Sequence, residues 1–485
     1  MCGLYVHIPF CKSRCAYCAF YSSTLLHLAD KYVDALCKEL TLRGPHNWSS
    51  VYIGGGTPSC LSHNQLKRLF QHIDCSSAAE VTIECNPDDV SPDFAQLLAS
   101  LPVNRVSMGI QTFNNQLLQF LHRRHNAQQA RKAVTLLRHA GFRNISVDLI
   151  YGFPNQTLSQ WQDDVRQALQ LNVEHISAYC LSIEPETPLW TLRQNGTIPN
   201  PDEDAQRDMY YYLCQQLANS NFVHYELSNF CQPNHRAIHN SSYWTGTPYI
   251  GIGAAAHSLL FADDAQHFLN LQSNSHPDIT KITPKSYANS LPDKTAPVRQ
   301  PNIADKTAPV RQPNIADKTA PVRQPNIPDK TAPVRQPNIP DKTAPIRQWN
   351  IADVNAYINS VNSGVIPAEG EILSPAEQYN DMVMLSLRTR EGLNLTRLQS
   401  LFGSKALHYC LNAAQPFLNP TETISLNPTS SQSETISLNP QLPHPAEDVL
   451  SNPAAPLLVI VDNNLRLTRP ALFVSDMVIS ALMKV

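Results

Sequence analysis

Six short apolar segments alternate with amphipathic stretches along the first half of this chain, at intervals of roughly thirty residues. This alternation is typical of repeated βα units and predicts a parallel sheet covered by helices. The predicted strands span residues 4–8, 50–53, 80–84, 105–108, 146–150 and 175–180. Helices are predicted at residues 30–43, 62–73 and 127–139, and another begins at Ser91-Pro92, where a capping residue precedes a proline. Six strands favour an incomplete barrel, in which ligand sites form at the carboxyl ends of the strands.

Three cysteines, Cys11, Cys15 and Cys18, follow the first predicted strand within one short segment. Three thiolates at this spacing can each bind one iron of a four-iron cluster, which leaves the fourth iron open to a small molecule. Closely spaced cysteines are also found in zinc sites and in disulfide frameworks. Zinc sites usually add a second pair of ligands downstream, and the sequence has no matching pair. The remaining cysteines are scattered, and we interpret them as small buried apolar residues.

The overall charge and hydropathy of the chain disfavour several classes of protein. Its 485 residues carry a net charge of −3, which is not the basic balance typical of nucleic-acid binding. The chain opens without a basic segment followed by an apolar stretch, and it has no run of about 18 consecutive apolar residues. We therefore expect a cytoplasmic protein with neither a secretory signal nor a transmembrane segment, in which the cysteines stay reduced.

Polar residues and glycines stand where the predicted strands end. The second strand runs into three glycines at residues 54–56, whose missing side chains would let a ligand approach the backbone amide groups. The next three strands carry Glu84, Gln111 and Asp148 toward the same edge. Buried polar groups without partners cost a few kcal/mol, so these side chains should face a ligand or one another. An ordinary tight turn and a structural hydrogen-bond network are the alternative interpretations.

The run from His7 through Cys18 resembles the cluster motif of the radical S-adenosylmethionine (SAM) proteins, and in detail that of their coproporphyrinogen-dehydrogenase branch. The resemblance extends over residues 4 to about 258. It implies an α/β fold, a partial (β/α)6 radical-SAM barrel, with a [4Fe–4S] cluster on the three cysteines and SAM at the open iron. In that superfamily an electron from the cluster cleaves SAM to a 5′-deoxyadenosyl radical. The positions that match the family's SAM contacts are Tyr5, Tyr17, Gly55, Gly56, Thr57, Glu84, Gln111, Arg123 and Asp148.

Two features separate the oxidase and the haem chaperone that this branch contains. The oxygen-independent coproporphyrinogen III oxidase has a further cysteine two residues after the third one, where this chain has Phe20. That enzyme also has a segment ahead of its first barrel strand, which we do not expect here. In both respects the chain resembles the HemW-type haem chaperones, which bind haem and pass it to respiratory proteins. Conversion of coproporphyrinogen III to protoporphyrinogen IX, the reaction of the oxidase, is the alternative function.

The segment from His239 to Trp244 also resembles the consensus of the haem chaperones. Because histidine is a common axial ligand of haem iron, the resemblance makes His239 the candidate haem ligand. A structural role in the core is the alternative for a single histidine. The resemblance further implies haem or a porphyrinogen as cargo or substrate, haem-accepting proteins as partners, and an electron donor such as a flavodoxin or ferredoxin.

Two duplicated segments interrupt the second half of the chain. A twelve-residue unit begins at Asp293, and its further copies begin at Asp305, Asp317, Asp329 and Asp341. Each copy has few large apolar residues and several prolines, which favours a disordered or polyproline-like insertion over a stacked solenoid. A shorter duplication repeats residues 422–428 at 434–440.

These insertions suggest three parts. The predictions are a barrel and family core at residues 1–260, a linker with the repeats at 261–352, and a small C-terminal helical or winged-helix-like domain at 353–485, which contains a low-complexity insertion near 419–456. Within the last part, residues 374–390 are predicted to form a helix, and residues 457–485 a strand pair followed by a helix.

Overall fold

Twelve strands form one large sheet in the computed structural model, which describes residues 2–261, 345–418 and 455–484. They are β1 (Cys2–Ile8), β2 (Trp48–Gly55), β3 (Glu80–Cys85), β4 (Arg105–Gln111), β5 (Ile145–Tyr151), β6 (His175–Cys180), β7 (Val223–Glu226), β8 (Asn229–Cys231), β9 (Tyr249–Ile252), β10 (His257–Leu260), β11 (Ile346–Asn350) and β12 (Ala368–Ile372). Strands β1 to β6 lie side by side in chain order, each parallel to the next. The predicted α/β fold with six parallel strands is therefore confirmed.

Additional strands extend both edges of this parallel region. On the β1 side, β9 pairs in parallel with β1, and β10, β11 and β12 follow as antiparallel neighbours. On the other side, β8 and β7 continue the sheet beyond β6, also antiparallel. The sequence did not predict these edge strands, because they are short and lack the repeated alternation with helices.

Helices follow most of the parallel strands and cover the sheet. They are α1 (Ala29–Arg43), α2 (His63–Gln71), α3 (Pro92–Ser100), α4 (Asn115–Phe120), α5 (Ala127–His139), α6 (Leu158–Gln170), α7 (Pro188–Gln194), α8 (Glu203–Asn219), α9 (Ile238–Thr245) and α10 (Val354–Asn362). Ser62 caps α2 together with Gln65, in a reciprocal pair of side-chain hydrogen bonds. The Ser91 side chain accepts a hydrogen bond from the Phe94 amide and Pro92 opens the helix, as predicted for α3.

Side chains alternate along the parallel strands between an apolar face and a polar face. In β1, Leu4, Val6 and Ile8 are fully buried in the main hydrophobic core, which also includes helix residues of α1. The intervening Tyr5 lies on the opposite face, where its ring stacks on Tyr52 of β2 with a centroid distance of 6.2 Å. On that same face the Ser107 hydroxyl of β4 donates to Asp148 of β5 at 3.3 Å. The enclosed face of the sheet is therefore lined by polar groups.

A second, smaller core forms in the C-terminal part of the chain. It contains α11 (Pro375–Leu387), α12 (Leu395–Ala414), which is interrupted at Gly403, and α13 (Ser475–Leu482). A three-stranded antiparallel sheet of β13 (Leu393–Asn394), β15 (Asn464–Leu467) and β14 (Leu458–Val461) packs with these helices. The predicted helix at 374–390 and the predicted strand pair and helix at 457–485 correspond to α11, β14, β15 and α13. None of the helices in the described ranges is long and apolar enough to cross a membrane.

Strand β11 lies inside the segment predicted as the repeat linker. The other repeat copies read Val-Arg-Gln-Pro-Asn where the fifth copy reads Ile346, Arg347, Gln348, Trp349 and Asn350. Proline cannot donate to a sheet ladder, so its replacement by Trp349 permits a strand here. Residues 346–350 therefore belong to the large sheet and not to the predicted linker. Residues 262–344, with the rest of the repeats, lie outside the described residues, as do residues 419–454.

Candidate functional site

The three cysteines of the motif lie on the loop that connects β1 with α1, beyond the carboxyl end of β1. Backbone hydrogen bonds hold this loop at three points. The Cys11 amide donates to the Ser23 carbonyl at 2.9 Å, and the Ala16 amide donates to the Leu121 carbonyl at 3.1 Å. The Ala16 carbonyl in turn accepts from the Leu189 amide of α7 at 3.0 Å. The loop is thus fixed between the segment after α4 and the start of α7.

The thiols of the loop are partly buried and influence one another. Burial raises the pKa of Cys18 to about 11 and raises the pKa of Cys11 above its usual value, and the nearby Cys15 acts in the same direction on both. Within the described residues no three histidine, cysteine or acidic side chains converge closely enough to hold a single metal ion. In an iron–sulfur cluster each thiolate binds a different iron, so the sulfurs need not converge on one point.

Two polar side chains point at sulfurs of the loop. The Cys11 thiol and the Thr57 hydroxyl lie 3.4 Å apart, and the Arg123 guanidinium donates to the Cys15 sulfur, also at 3.4 Å. Hydrogen bonds to thiolate sulfur and nearby positive charge are the means by which proteins stabilise and tune such clusters. The donor set of three thiols, a hydroxyl and a buried guanidinium therefore fits a [4Fe–4S] cluster.

Asn86 connects these two donors. Its side-chain amide donates to the Thr57 hydroxyl at 3.4 Å, and its carbonyl oxygen accepts from Arg123 at 2.7 Å. Arg123 also donates to the Gly109 carbonyl at 2.6 Å. Although burial alone would lower the pKa of Arg123, the neighbouring Tyr17 and Cys15 hold it above its usual value, so the side chain stays cationic. Asn86 was not among the residues predicted from the sequence, although it directly follows β3.

Glu84, near the carboxyl end of β3, is hydrogen bonded to two residues of the neighbouring strand β2. Its carboxylate accepts a 2.6 Å hydrogen bond from the Tyr52 hydroxyl and a 3.1 Å hydrogen bond from the Gly55 amide. Gly55 has a φ of 111°, and a Cβ there would lie 2.8 Å from the His7 ring. A Cβ on Gly56 would lie 2.8 Å from the Phe10 carbonyl oxygen, which is backbone of the cysteine loop. Only glycines allow the two loops to approach this closely.

Gln111 is the last residue of β4, and Asp148 lies on the adjacent strand β5. Gln111 has a φ of 69° and follows a bulge in β4, a distortion that turns a side chain away from the regular pleat. The amide nitrogen of its side chain occupies the space beside Gly109, 2.7 Å from where a Cβ of that glycine would be. Asp148 accepts a hydrogen bond from the Ser107 hydroxyl.

The two predicted tyrosines lie nearer the cysteine loop. The Tyr5 hydroxyl is hydrogen bonded to the His7 ring at 2.9 Å. Burial, followed by the charge of Cys15, raises the pKa of Tyr17.

His239 lies away from this edge, beside the beginnings of the strands. Its ring is fully buried, and both of its nitrogens have partners: Nδ1 is 2.9 Å from the Ser50 hydroxyl and Nε2 is 2.7 Å from the Tyr243 hydroxyl. The ring also stacks on Tyr52 at a centroid distance of 5.3 Å. Burial and then the nearby Arg105 lower its pKa to about 3. A haem iron could bind this imidazole only if one of those hydrogen bonds broke, so the geometry does not favour the predicted ligand role.

The remaining predicted residues are brought together at one sheet edge. Cys11, Cys15 and Arg123 share the Asn86 network with Thr57. Gly55, Glu84 and Gln111 lie at or next to the carboxyl ends of β2, β3 and β4, and Asp148 lies in the middle of the neighbouring β5. The polar face of the sheet, which carries Tyr5, Tyr52 and Asp148, lies next to these residues. The arrangement can hold a sulfur-ligated cluster and, next to it, a polar ligand with amino, carboxylate and hydroxyl groups.

Comparisons with known proteins agree with this arrangement. The sequence model of the radical SAM superfamily matches residues 5–168. The chain is 40% identical over 261 residues to heme chaperone HemW of Lactococcus lactis, which covers 53% of this chain and 69% of that protein. It is 35% identical over 287 residues to heme chaperone HemW of Escherichia coli, with 57% of this chain and 74% of that protein covered.

Among solved structures, the fold resembles the radical SAM enzyme coproporphyrinogen III oxidase (HemN) from Escherichia coli. The TM-score is 0.65 at 17% identity, and the alignment covers 99% of this chain and 90% of that one. At this identity the likeness concerns the fold alone.

Proposed function

Because the chain belongs to the family of HemW haem chaperones within the radical SAM superfamily, we propose that it binds a [4Fe–4S] cluster, SAM and haem, and delivers haem to respiratory proteins. The observation that carries this proposal is the meeting of the three-cysteine loop with Thr57, Asn86 and Arg123 at the edge where the strands end. We place this activity in the cytoplasm, with a flavodoxin or ferredoxin as electron donor.

Each residue of the edge has a proposed task. Cys11, Cys15 and Cys18 would hold the cluster, which when bound supplies an electron and an open iron for SAM. The backbone of the glycine loop, Gly55 to Thr57, and the Glu84 carboxylate would orient the methionine end of SAM. The remaining contacts with SAM are proposed for Tyr5, Tyr17, Gln111, Arg123 and Asp148. Haem delivery does not depend on a ligand role for His239.

The test begins with anaerobic reconstitution of the full chain with iron and sulfide. We expect brown protein whose iron and acid-labile sulfide match one [4Fe–4S] cluster per chain, and a variant with Cys11, Cys15 and Cys18 replaced by alanine that retains neither. Cys60→Ala is the matched control, because the Cys60 thiol contacts the Phe10 carbonyl of the same loop at 3.6 Å but lies outside the motif. If the Cys60 variant lost its iron while the variant without Cys11, Cys15 and Cys18 kept it, the assignment of the cluster ligands would be contradicted.

A second measurement separates chaperone from oxidase. The reconstituted protein is given haemin in one vessel, and coproporphyrinogen III with SAM and a reductant in another. We expect a stable haem complex, seen by its visible absorbance, that transfers haem to an apo-protein acceptor, and no protoporphyrinogen in the second vessel. Formation of protoporphyrinogen would show the oxidase reaction and overturn the chaperone assignment.

A further inference from the structure

Asp89 is a buried carboxylate that receives hydrogen bonds from three different segments. The aspartate lies in the short turn after β3, and its side chain is 1% exposed. Lys12 donates to its Oδ1 at 2.7 Å and Arg124 donates to the same oxygen at 3.1 Å. The Ser59 hydroxyl donates to its Oδ2 at 2.9 Å. Each of these bonds is charge-assisted, which makes it stronger than a bond between neutral groups.

Each partner of Asp89 lies within two residues of a candidate-site residue in the sequence. Lys12 follows Cys11, Ser59 lies two residues after Thr57, and Arg124 follows Arg123. The Ser59 hydroxyl also accepts a hydrogen bond from the backbone amide of Asn86 at 3.0 Å. One carboxylate thus ties together the cysteine loop, the turn that directly follows the glycine loop, and the turn at Arg123 and Arg124, here called the arginine turn. Its hydrogen bonds in the described part of the chain go to nitrogen and oxygen atoms.

Its neighbour Asp88 has a narrower set of contacts. Asp88 pairs with Arg124 at 2.7 Å, and no hydrogen bond or ion pair to Lys12 or Ser59 is found for it among the described residues. The two aspartates therefore share the arginine turn, but only Asp89 reaches the other two segments. This difference separates a role in spacing the three loops from a general effect of acidic charge.

We propose that Asp89 is a positioning residue that sets the distance between the cysteine loop, the glycine loop and the Arg123 turn before any ligand binds. Removal of its charge frees Lys12 and Ser59, so Cys11 and Thr57 lose their common anchor. That the spacing serves cluster and SAM binding rests on the proposed function, whereas the spacing itself is a property of the protein alone.

The test compares Asp89→Asn, Asp88→Asn and Asp89→Glu by hydrogen–deuterium exchange of the apo-protein. In Asp89→Asn we expect exchange at residues 10–14 and 57–60 to be faster by about tenfold, the change that corresponds to one lost charge-assisted hydrogen bond. Asp88→Asn should raise exchange near residue 124 only, and Asp89→Glu should restore part of the protection. Equal patterns in the two asparagine variants, or a uniform increase that includes the C-terminal core, would overturn the proposal.

A second measurement uses the reconstituted proteins. We expect Asp89→Asn to keep its iron but to bind SAM about tenfold more weakly than the wild type, while Asp88→Asn binds it equally well. Unchanged SAM affinity in Asp89→Asn would overturn the link between spacing and binding. Failure of the wild type to take up a cluster would refute the proposed function instead, and the exchange pattern of the apo-protein would still decide the role of Asp89.

Discussion

Arg123 and Asn86 are joined by a 2.7 Å hydrogen bond that completes a continuous path between two cysteines of the motif. From Cys15 the path runs through the Arg123 guanidinium to Asn86, then through the Thr57 hydroxyl to Cys11. Residues from three βα units therefore act on one loop. The path is partly buried, and each of its members has the next as a hydrogen-bond partner, so loss of one weakens the positioning of its neighbours.

Replacement of Asn86 by alanine is expected to break this path at its centre. Arg123 would lose the acceptor at 2.7 Å, and Thr57 would lose a donor. The free energy of unfolding of the apo-protein should fall by about 2 kcal/mol, the contribution of one hydrogen bond to a charged group. Urea unfolding measures this change, and iron content after reconstitution should fall with it.

The control for Asn86→Ala is Asn219→Ala, at the exposed end of α8. This change should alter the free energy of unfolding by less than about 0.5 kcal/mol and leave iron uptake unchanged. Equal stability of the two variants would show that the Asn86 hydrogen bonds contribute nothing to the fold of the site.

The parallel strands could be read from the sequence because each is an apolar run of the right length between helical stretches. The predicted strand at residues 175–180 matches β6, and the helix at 127–139 matches α5. Polar site residues on the strands were also accessible to sequence reasoning, since side chains such as Glu84 near the end of β3 and Asp148 in the middle of β5 interrupt apolar segments. Asn86 and Asp89 were not selected, because their importance lies in contacts with residues distant in the chain.

His239 shows the limit of inference from a resemblance. A motif identifies a residue type in a sequence context, but it does not show whether the imidazole nitrogens are free. Here both are used by hydroxyl groups of Ser50 and Tyr243, which come from opposite ends of the family core. Tyr243 lies one turn further along α9, but the bond to Ser50 depends on how α9 packs against β2, and that contact has no local signal in the sequence.

His239→Leu tests whether this histidine is structural. The change leaves the Ser50 and Tyr243 hydroxyls without their buried partner, so the free energy of unfolding should fall by about 3 kcal/mol. Haem binding, measured by visible absorbance, should persist. His175→Leu is the matched control, because His175 is likewise held at 2.7 Å by Ser146 and at 2.7 Å by Tyr225. Unchanged stability together with loss of haem in the His239 variant alone would establish ligation instead.

Glu226 is expected to make stability depend on pH near neutrality. It is 2% exposed in β7, its Oε1 has no hydrogen-bond partner among the described residues, and burial raises its pKa from 4.5 to about 7. A carboxyl with a raised pKa stabilises the fold while it is protonated. Its contribution is therefore complete below pH 4.5 and is lost as the pH rises through 7.

Glu226→Gln should remove this dependence. At pH 8 the variant is expected to be more stable than the wild type by on the order of 3 kcal/mol, with the difference shrinking toward pH 5. Urea unfolding across this range gives the comparison. Glu391→Gln, at an exposed carboxylate that pairs with Arg236, is the control and should follow the wild type at every pH. Parallel curves for all three proteins would exclude Glu226 as the titrating group.

Trp349 is expected to be required for strand β11, the part of the last repeat copy that belongs to the large sheet. It lies in β11, between β10 and β12, opposite His257 on one side and Glu369 on the other. Trp349→Pro restores the residue found in the preceding copies, removes a ladder donor from a strand with neighbours on both sides, and should lower the free energy of unfolding by about 3 kcal/mol or more. Trp349→Val keeps the amide and favours a strand, so it should cost less.

Two deletions locate the same boundary independently. Removal of residues 293–344 should leave stability and iron uptake unchanged, since it stops short of β11. Removal of residues 293–352 also takes away Asn350, whose side-chain amide donates to the buried Glu39 carboxylate at 3.1 Å and to the Gly253 carbonyl at 3.0 Å. Glu39 is itself paired with the buried Arg43, so the larger deletion disturbs a buried ion pair and should unfold the chain at lower urea. Equal midpoints for the two deletions would show that β11 contributes nothing to the stability of the sheet.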